Sequence, residues 1–233
     1  MNTIIEVNNL SKSFISKNGV KTIVLDELQL SINHKQFVAL MGPSGAGKST
    51  LLYLMGLLDK PDKGEIAFII DQKRFIPTND TDNQLSKFRN REIGFIFQFY
   101  HLLPEFNALE NTMIPAIIAG KNQSDAKKIA MELIKKIGLS SKMYNKPNEL
   151  SGGEQQRIAI ARALVNKPKI ILADEPTGNL DSKNATMVVE LLHQIKSEYD
   201  VTMLMATHSS EIAKTTDKIF YLKDGKIDKI ETN

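Results

Sequence analysis

Eight consecutive residues carry the first recognisable chemistry. Gly42-Pro43-Ser44-Gly45-Ala46-Gly47-Lys48-Ser49 fits the spacing G-x-x-x-x-G-K-[ST]. In such a loop the backbone N–H groups turn inward around phosphate oxygens, and the helix that follows offers its positive end to the anion. Lys48 then reaches the outer phosphates and Ser49 a bound magnesium ion. The flanks agree: Phe37 to Met41 is a short apolar run of strand type, and Thr50 to Met55 has the apolar density of a buried helix.

A second glycine-bearing turn is Leu150-Ser151-Gly152-Gly153-Glu154-Gln155-Gln156. Ser151 and Glu154 stand at the spacing of a capping box, which predicts a helix from there to about Val165. Glycine costs a helix about 1 kcal/mol, so Gly152 and Gly153 point to an anion or a second backbone coming close.

Carboxylates come next. Ile170-Ile171-Leu172-Ala173 reads as a buried parallel strand, and Asp174-Glu175 at its carboxyl end lie where open α/β sheets bind ligands. Asp174 suits a magnesium ion; Glu175 is free to orient or deprotonate a water that attacks the terminal phosphate. His208 follows the apolar run from Val201, and Gln98 ends the run from Gly94 to Phe97. Both are polar tips on strand ends, within reach of the same chemistry. His101 and His193 have no such placement and read as ordinary.

These groups need a framework. With 233 residues, 42% of them hydrophobic, the chain can bury a large core. Strand-like runs at 4–7, 22–25, 37–41, 64–70, 94–97, 170–173, 201–206 and 218–222 frame it. From Asp125 to Ile137 apolar residues recur at three and four, an amphipathic helix ending at Gly138. The pattern predicts an α/β chain: a mainly parallel sheet behind a phosphate loop, with a helical insert at about 99–162.

Thirty basic against 27 acidic residues, scattered along the chain, imply no nucleic-acid partner. Zero cysteines exclude disulfides and cysteine metal sites. The start Met1 to Glu6 lacks the pattern of a secretory leader, and no stretch approaches the roughly 18 apolar residues of a membrane helix. A membrane role would have to run through a partner.

Taken together, the motifs in this order make the chain similar to the ATP-binding subunits of ABC transporters over nearly its whole length. The resemblance implies ATP and Mg2+ as ligands, ATP hydrolysis as the reaction, and the fold of that family's ATPases with an N-terminal antiparallel β portion. It implies one domain over 1–233, with a core of about 1–98 and 163–233 and a helical subdomain of about 99–162. Lys48 and Ser49 match the Walker A residues of the loop Gly42 to Ser49 with Thr50 behind it, and Gln98 the Q-loop glutamine. Ser151, Gly152, Gly153 and Glu154 fall in the signature motif. Asp174 matches the Walker B aspartate, Glu175 the catalytic glutamate, Asp181 the D-loop and His208 the switch histidine. Phe14 falls where the family usually places a tyrosine that stacks on adenine, so stacking survives without the hydroxyl.

The family's mechanism needs two chains. It implies a head-to-tail homodimer in which Ser151 and Gly153 of one copy clamp the phosphate held by Lys48 of the other. It also implies integral membrane subunits, with the chain on the cytoplasmic face of the bacterial inner membrane. Within the family, Phe99 to Asn111, with His101 before Leu102-Leu103-Pro104 and Phe106 after it, resembles the ATPases of lipoprotein-releasing systems. Other stretches are shared with macrolide exporters, which stand as the alternative. A non-transport ATPase of the superfamily or a regulatory module that does not hydrolyse ATP fits less well.

Overall fold

A computed structural model describes residues 3–77 and 80–233; Met1 and Asn2, with which the leader reading begins, lie outside them. In chain order the elements are β1 (Thr3–Ile15), β2 (Lys21–Asn33), β3 (Phe37–Met41), α1 (Lys48–Met55), β4 (Lys63–Ile70), β5 (Lys73–Phe75), α2 (Asp82–Glu92) and β6 (Ile93–Ile96). The helices α3 (Ala108–Ile118), α4 (Gln123–Lys136) and α5 (Gly152–Leu164) follow. Then come β7 (Ile170–Asp174), α6 (Ser182–Glu198), β8 (Thr202–Ala206), α7 (Ser210–Ala213), β9 (Lys218–Lys223) and β10 (Lys226–Thr232). They fall into two compact units, Met1–Ser86 with Val201–Asn233, and Lys87–Asp200.

The first unit holds an antiparallel sheet in the order β2-β1-β4-β5. Its strands alternate buried and exposed residues, as expected of a sheet with one face on the core. β1 runs far past the expected Val7, to Ile15, and β2 past Leu25, to Asn33. Each strand satisfies the other's backbone across register shifts, one of them beside Asn9, which sits at φ 49. The same unit pairs β3 in parallel with both β8 and β9, and β10 antiparallel to β9. Phe37 to Leu40 and all of β8 are buried, which explains their unbroken apolar sequence.

In the second unit β6 and β7 pair in parallel, and every residue of β7 is buried. α3, α4 and α5 pack on one another, and α5 also lies on β6 and α6. α4 starts two residues before the expected Asp125, because the side chain of Asn122 accepts from the N–H of Asp125 at 2.9 Å and so caps the helix. The expected α/β class, with parallel pairing in the core and an antiparallel N-terminal sheet, is what the chain adopts. α2, β5 and β10 were not among the expected elements; their polar composition hides the period, whereas α6 buries Val188, Leu191, Leu192 and Ile195 at helical spacing.

Candidate nucleotide-binding and catalytic groups

In the first unit the phosphate loop leaves β3 and enters α1. Gly47 caps the helix at φ 101, a left-handed conformation that L side chains avoid, and a Cβ there would meet the Val24 carbonyl at 2.9 Å. The loop closes on itself through Ala46 N–H to the Pro43 carbonyl, 3.2 Å, and α1 begins with Leu51 N–H to the Gly47 carbonyl, 2.9 Å. Pro43, Ser44, Gly45 and Ser49 are exposed, while Ala46, Gly47 and Lys48 are buried. Lys48 Nζ donates to the carbonyls of Gly42 at 2.8 Å and Pro43 at 3.1 Å. The ammonium is thereby held against the loop it serves, a cation beside a helix N-terminus and an open rim, which is the chemistry of anion capture. Thr50 is half-buried in the first turn of α1.

His208 reaches the same edge by pairing. Leu40 of β3 and Ala206 of β8 are register partners in parallel strands, and Thr207 N–H donates to the Leu40 carbonyl at 3.1 Å. Gly42 and His208, each two residues beyond a register partner, therefore leave one sheet edge together. His208 is exposed. Phe14 lies near the end of β1, 47% exposed as a residue, with Lys12 Nζ 5.3 Å from the ring centroid.

The second unit carries the carboxylates. Asp174 ends β7 and is only 6% exposed. Glu175, the next residue, is half-buried and at φ 42, a left-handed conformation that is strained for a non-glycine residue. Its carbonyl accepts from Gly178 N–H at 3.0 Å, closing a turn. The Glu175 carboxylate and the Gln98 side-chain nitrogen converge there: a Cβ on Gly178 would lie 3.3 Å from Glu175 Oε2 and 3.1 Å from Gln98 Nε2. Asn179 Nδ2 donates to the main-chain carbonyl of Gln98 at 3.2 Å and ties the two segments.

The signature turn opens α5 as expected. Ser151 Oγ accepts from Glu154 N–H at 3.3 Å, and Glu154 Oε2 accepts from Ser151 N–H at 2.8 Å. That backbone bond, more than any other contact, holds the Glu154 carboxyl below the ordinary range. Ser151 is exposed at the helix N-terminus. Side chains of the same chain also come close to the two glycines: a Cβ on Gly152 would lie 2.8 Å from the Tyr100 hydroxyl, and one on Gly153 2.3 Å from Asn184 Oδ1. Asp181 caps α6, accepting from the Asn184 N–H and from Asn184 Nδ2, each at 2.8 Å. Those bonds hold its carboxyl below the ordinary range.

Several working residues escaped sequence reading. Asn111, wholly buried in α3, accepts from Leu103 N–H at 2.8 Å and donates to the carbonyls of Leu103, Phe106 and Asn107. Arg162 of α5 holds the carbonyls of Tyr100 and His101 and so clamps the backbone there, His101 standing at φ 48. His193 is half-buried on α6. Only a hydrogen-bond count in a folded chain exposes such roles; the residue types alone carry no signal.

Residues 25–178 match the family described as ABC transporter. Over 226 residues the chain is 46% identical to the lipoprotein-releasing system ATP-binding protein LolD of Bacteroides thetaiotaomicron, covering 97% of this chain and 100% of that protein. It is 45% identical over 226 residues to the LolD of Saccharophagus degradans, covering 97% of each. The fold superposes on a dimeric, post-hydrolysis ATP-binding cassette bound to ADP and Pi with a TM-score of 0.88, at 39% identity over 98% of both chains. With a phosphate loop, a carboxylate-tipped strand and a capped signature helix in place, the chain belongs to the ABC transporter family.

Proposed function

We propose that this chain is the ATP-hydrolysing subunit of a bacterial lipoprotein-releasing transporter. The observation that carries the reading is its nearly full-length match to LolD proteins, combined with the phosphate loop in which Lys48 is already gathered. Lys48 opposes the charge on the outer phosphates of ATP, and the loop from Gly42 to Ser49 with Thr50 cradles them. Phe14 offers an aromatic face to the adenine. Glu175 orients or deprotonates the attacking water, Gln98 stands beside it, and His208 donates to the terminal phosphate. Ser49, Gln98 and Asp174 would hold Mg2+: hydroxyl, amide and carboxylate are the hard oxygen donors it takes, and Asp174 stands buried at a strand end. Bound there, the ion neutralises phosphate charge.

Two copies complete the reaction, Ser151, Gly152, Gly153 and Glu154 of one facing the nucleotide of the other, with Asp181 near the junction; the dimeric cassette among the similar structures supports this. A core of about 1–98 and 163–233 and a helical subdomain of about 99–162 divide the labour. Among the described residues no helix is long and apolar enough to cross a membrane. The match to LolD proteins supports integral membrane subunits that supply the span, with the chain at the cytoplasmic face of the inner membrane. Phe99, Leu103 and Phe106 support that docking: each is at least 40% exposed, on a segment pinned from within by Asn111.

The test is co-expression with the membrane subunits encoded beside it, followed by ATP-driven release of a tagged lipoprotein from proteoliposomes. Release by the parent and lost docking in the double variant Phe99→Ser/Phe106→Ser are expected. A parent complex that hydrolyses ATP without releasing lipoprotein sinks the substrate reading; a folded double variant that still docks sinks the surface.

A further inference from the structure

Gln156 is the residue of α5 whose chemistry the signature turn does not use. It is wholly buried, with 0% of its surface exposed. Its Nε2 donates to the main-chain carbonyl of Pro176 at 2.7 Å, and its Oε1 has no hydrogen-bond partner among the described residues. As a structural residue this is a poor choice. A buried amide oxygen without a donor costs free energy that an apolar side chain would not incur. The other half of the side chain explains why an amide stands there.

Pro176 is the second residue of the turn from Glu175 to Gly178. Glu175 opens that turn in a left-handed conformation, which for a residue with a side chain is tolerated only where its surroundings over-determine it. The Gly178 N–H bond fixes one peptide of the turn from inside. The Gln156 bond fixes the Pro176 carbonyl from outside, and with it the peptide linking Pro176 to Thr177. Proline holds its own φ near −65° by its ring, so fixing its carbonyl leaves the backbone between Glu175 and Thr177 little freedom. The direction of the Glu175 carboxylate, and its approach to the point it shares with Gln98 beside Gly178, follow from that backbone.

We propose that Gln156 is a positioning residue: its amide, from the helix that carries the signature turn, holds the Glu175 turn in the strained geometry hydrolysis requires. The inference rests on the reading of Glu175 as the water-orienting carboxylate. Its consequence is that the Gln156 hydrogen bond links the signature helix to the hydrolytic carboxylate of the same chain, so displacement of the helix N-terminal half reaches the carboxylate without touching nucleotide.

The experiment compares Gln156→Met, Gln156→Leu and Glu175→Gln in the full chain, reading MgATP turnover, KM for ATP and thermal unfolding. For both Gln156 variants the expected result is a kcat lower by fivefold or more with a KM within twofold of the parent, in a chain that still unfolds cooperatively; the orphaned Pro176 carbonyl lowers Tm and the loss of the orphaned Oε1 offsets part of that. A merely structural glutamine would change Tm without separating kcat from KM. Two folded variants with parental kcat overturn the inference, as does a loss of kcat matched by an equal rise in KM. Glu175→Gln separates the two ideas: parental turnover there defeats the reading of Glu175, whereas lost turnover there with parental Gln156 variants defeats the role of Gln156 alone.

Discussion

The guanidinium of Arg162 donates through Nη2 to the main-chain carbonyl of Tyr100 at 2.6 Å, and its other terminal nitrogen takes the next carbonyl, His101, at 2.5 Å. Tyr100 and His101 are both left-handed, at φ 56 and 48, so the fork stabilises a kink that neither residue favours. Burial pulls the Arg162 pKa down to about 10, which leaves the group charged throughout the neutral range. The kink separates Gln98 from the exposed side chains of Leu103 and Phe106, and its shape decides where they stand.

Arg162→Met leaves both carbonyls without their donor. Losing hydrogen bonds from a charged group costs about 2 kcal/mol, and the urea midpoint should fall accordingly. Arg162→Lys keeps the charge but cannot fork, so it should recover part of the loss. An unchanged midpoint in Arg162→Met would show that the clamp contributes nothing to the fold.

Lys48→Ala and Glu175→Gln should part company. The lysine opposes charge that is present on bound nucleotide and grows during transfer, so Lys48→Ala is expected to lose MgATP affinity together with turnover, by about 100-fold or more in the latter. Glu175→Gln keeps affinity and loses turnover, so that two chains stay closed around ATP and elute as a dimer in size-exclusion chromatography with MgATP. A Glu175→Gln chain that remains monomeric at saturating MgATP, or turns over like the parent, contradicts the assignment.

The capping box of α5 makes a pH prediction. The Glu154 carboxyl, held chiefly by the Ser151 N–H, has a folded-state pKa below its ordinary value of 4.5. A carboxyl lowered on folding contributes stability that is fully present above the unfolded pKa and is lost as pH falls through the folded one. Glu154→Gln keeps an acceptor for Ser151 but no charge. At pH 7 the parent should exceed the variant by no more than about 1 kcal/mol, and the gap should close below pH 4.5. A gap that stays constant from pH 7 to 3.5, followed by thermal unfolding, rules out the carboxylate as its source.

The phosphate loop, the Ser151 to Glu154 box and the pair Asp174-Glu175 were legible in the amino-acid sequence, because each depends on spacings of a few residues that set local backbone geometry. The apolar runs at Phe37 to Met41 and Ile170 to Ala173 announced buried strands for the same reason. Tertiary structure decided what no local spacing encodes. Parallel pairing of β3 with β8 brings His208 to the edge that the loop leaves, and register between distant strands is a property of the sheet. Side chains of Tyr100 and Asn184 come to lie against Gly152 and Gly153, a closeness that spacing alone does not encode. Asn111, Gln156 and Arg162 look like ordinary polar residues on helices until folding buries them or their partners. A buried backbone carbonyl must find a donor wherever the packed chain supplies one, and that choice is made in three dimensions.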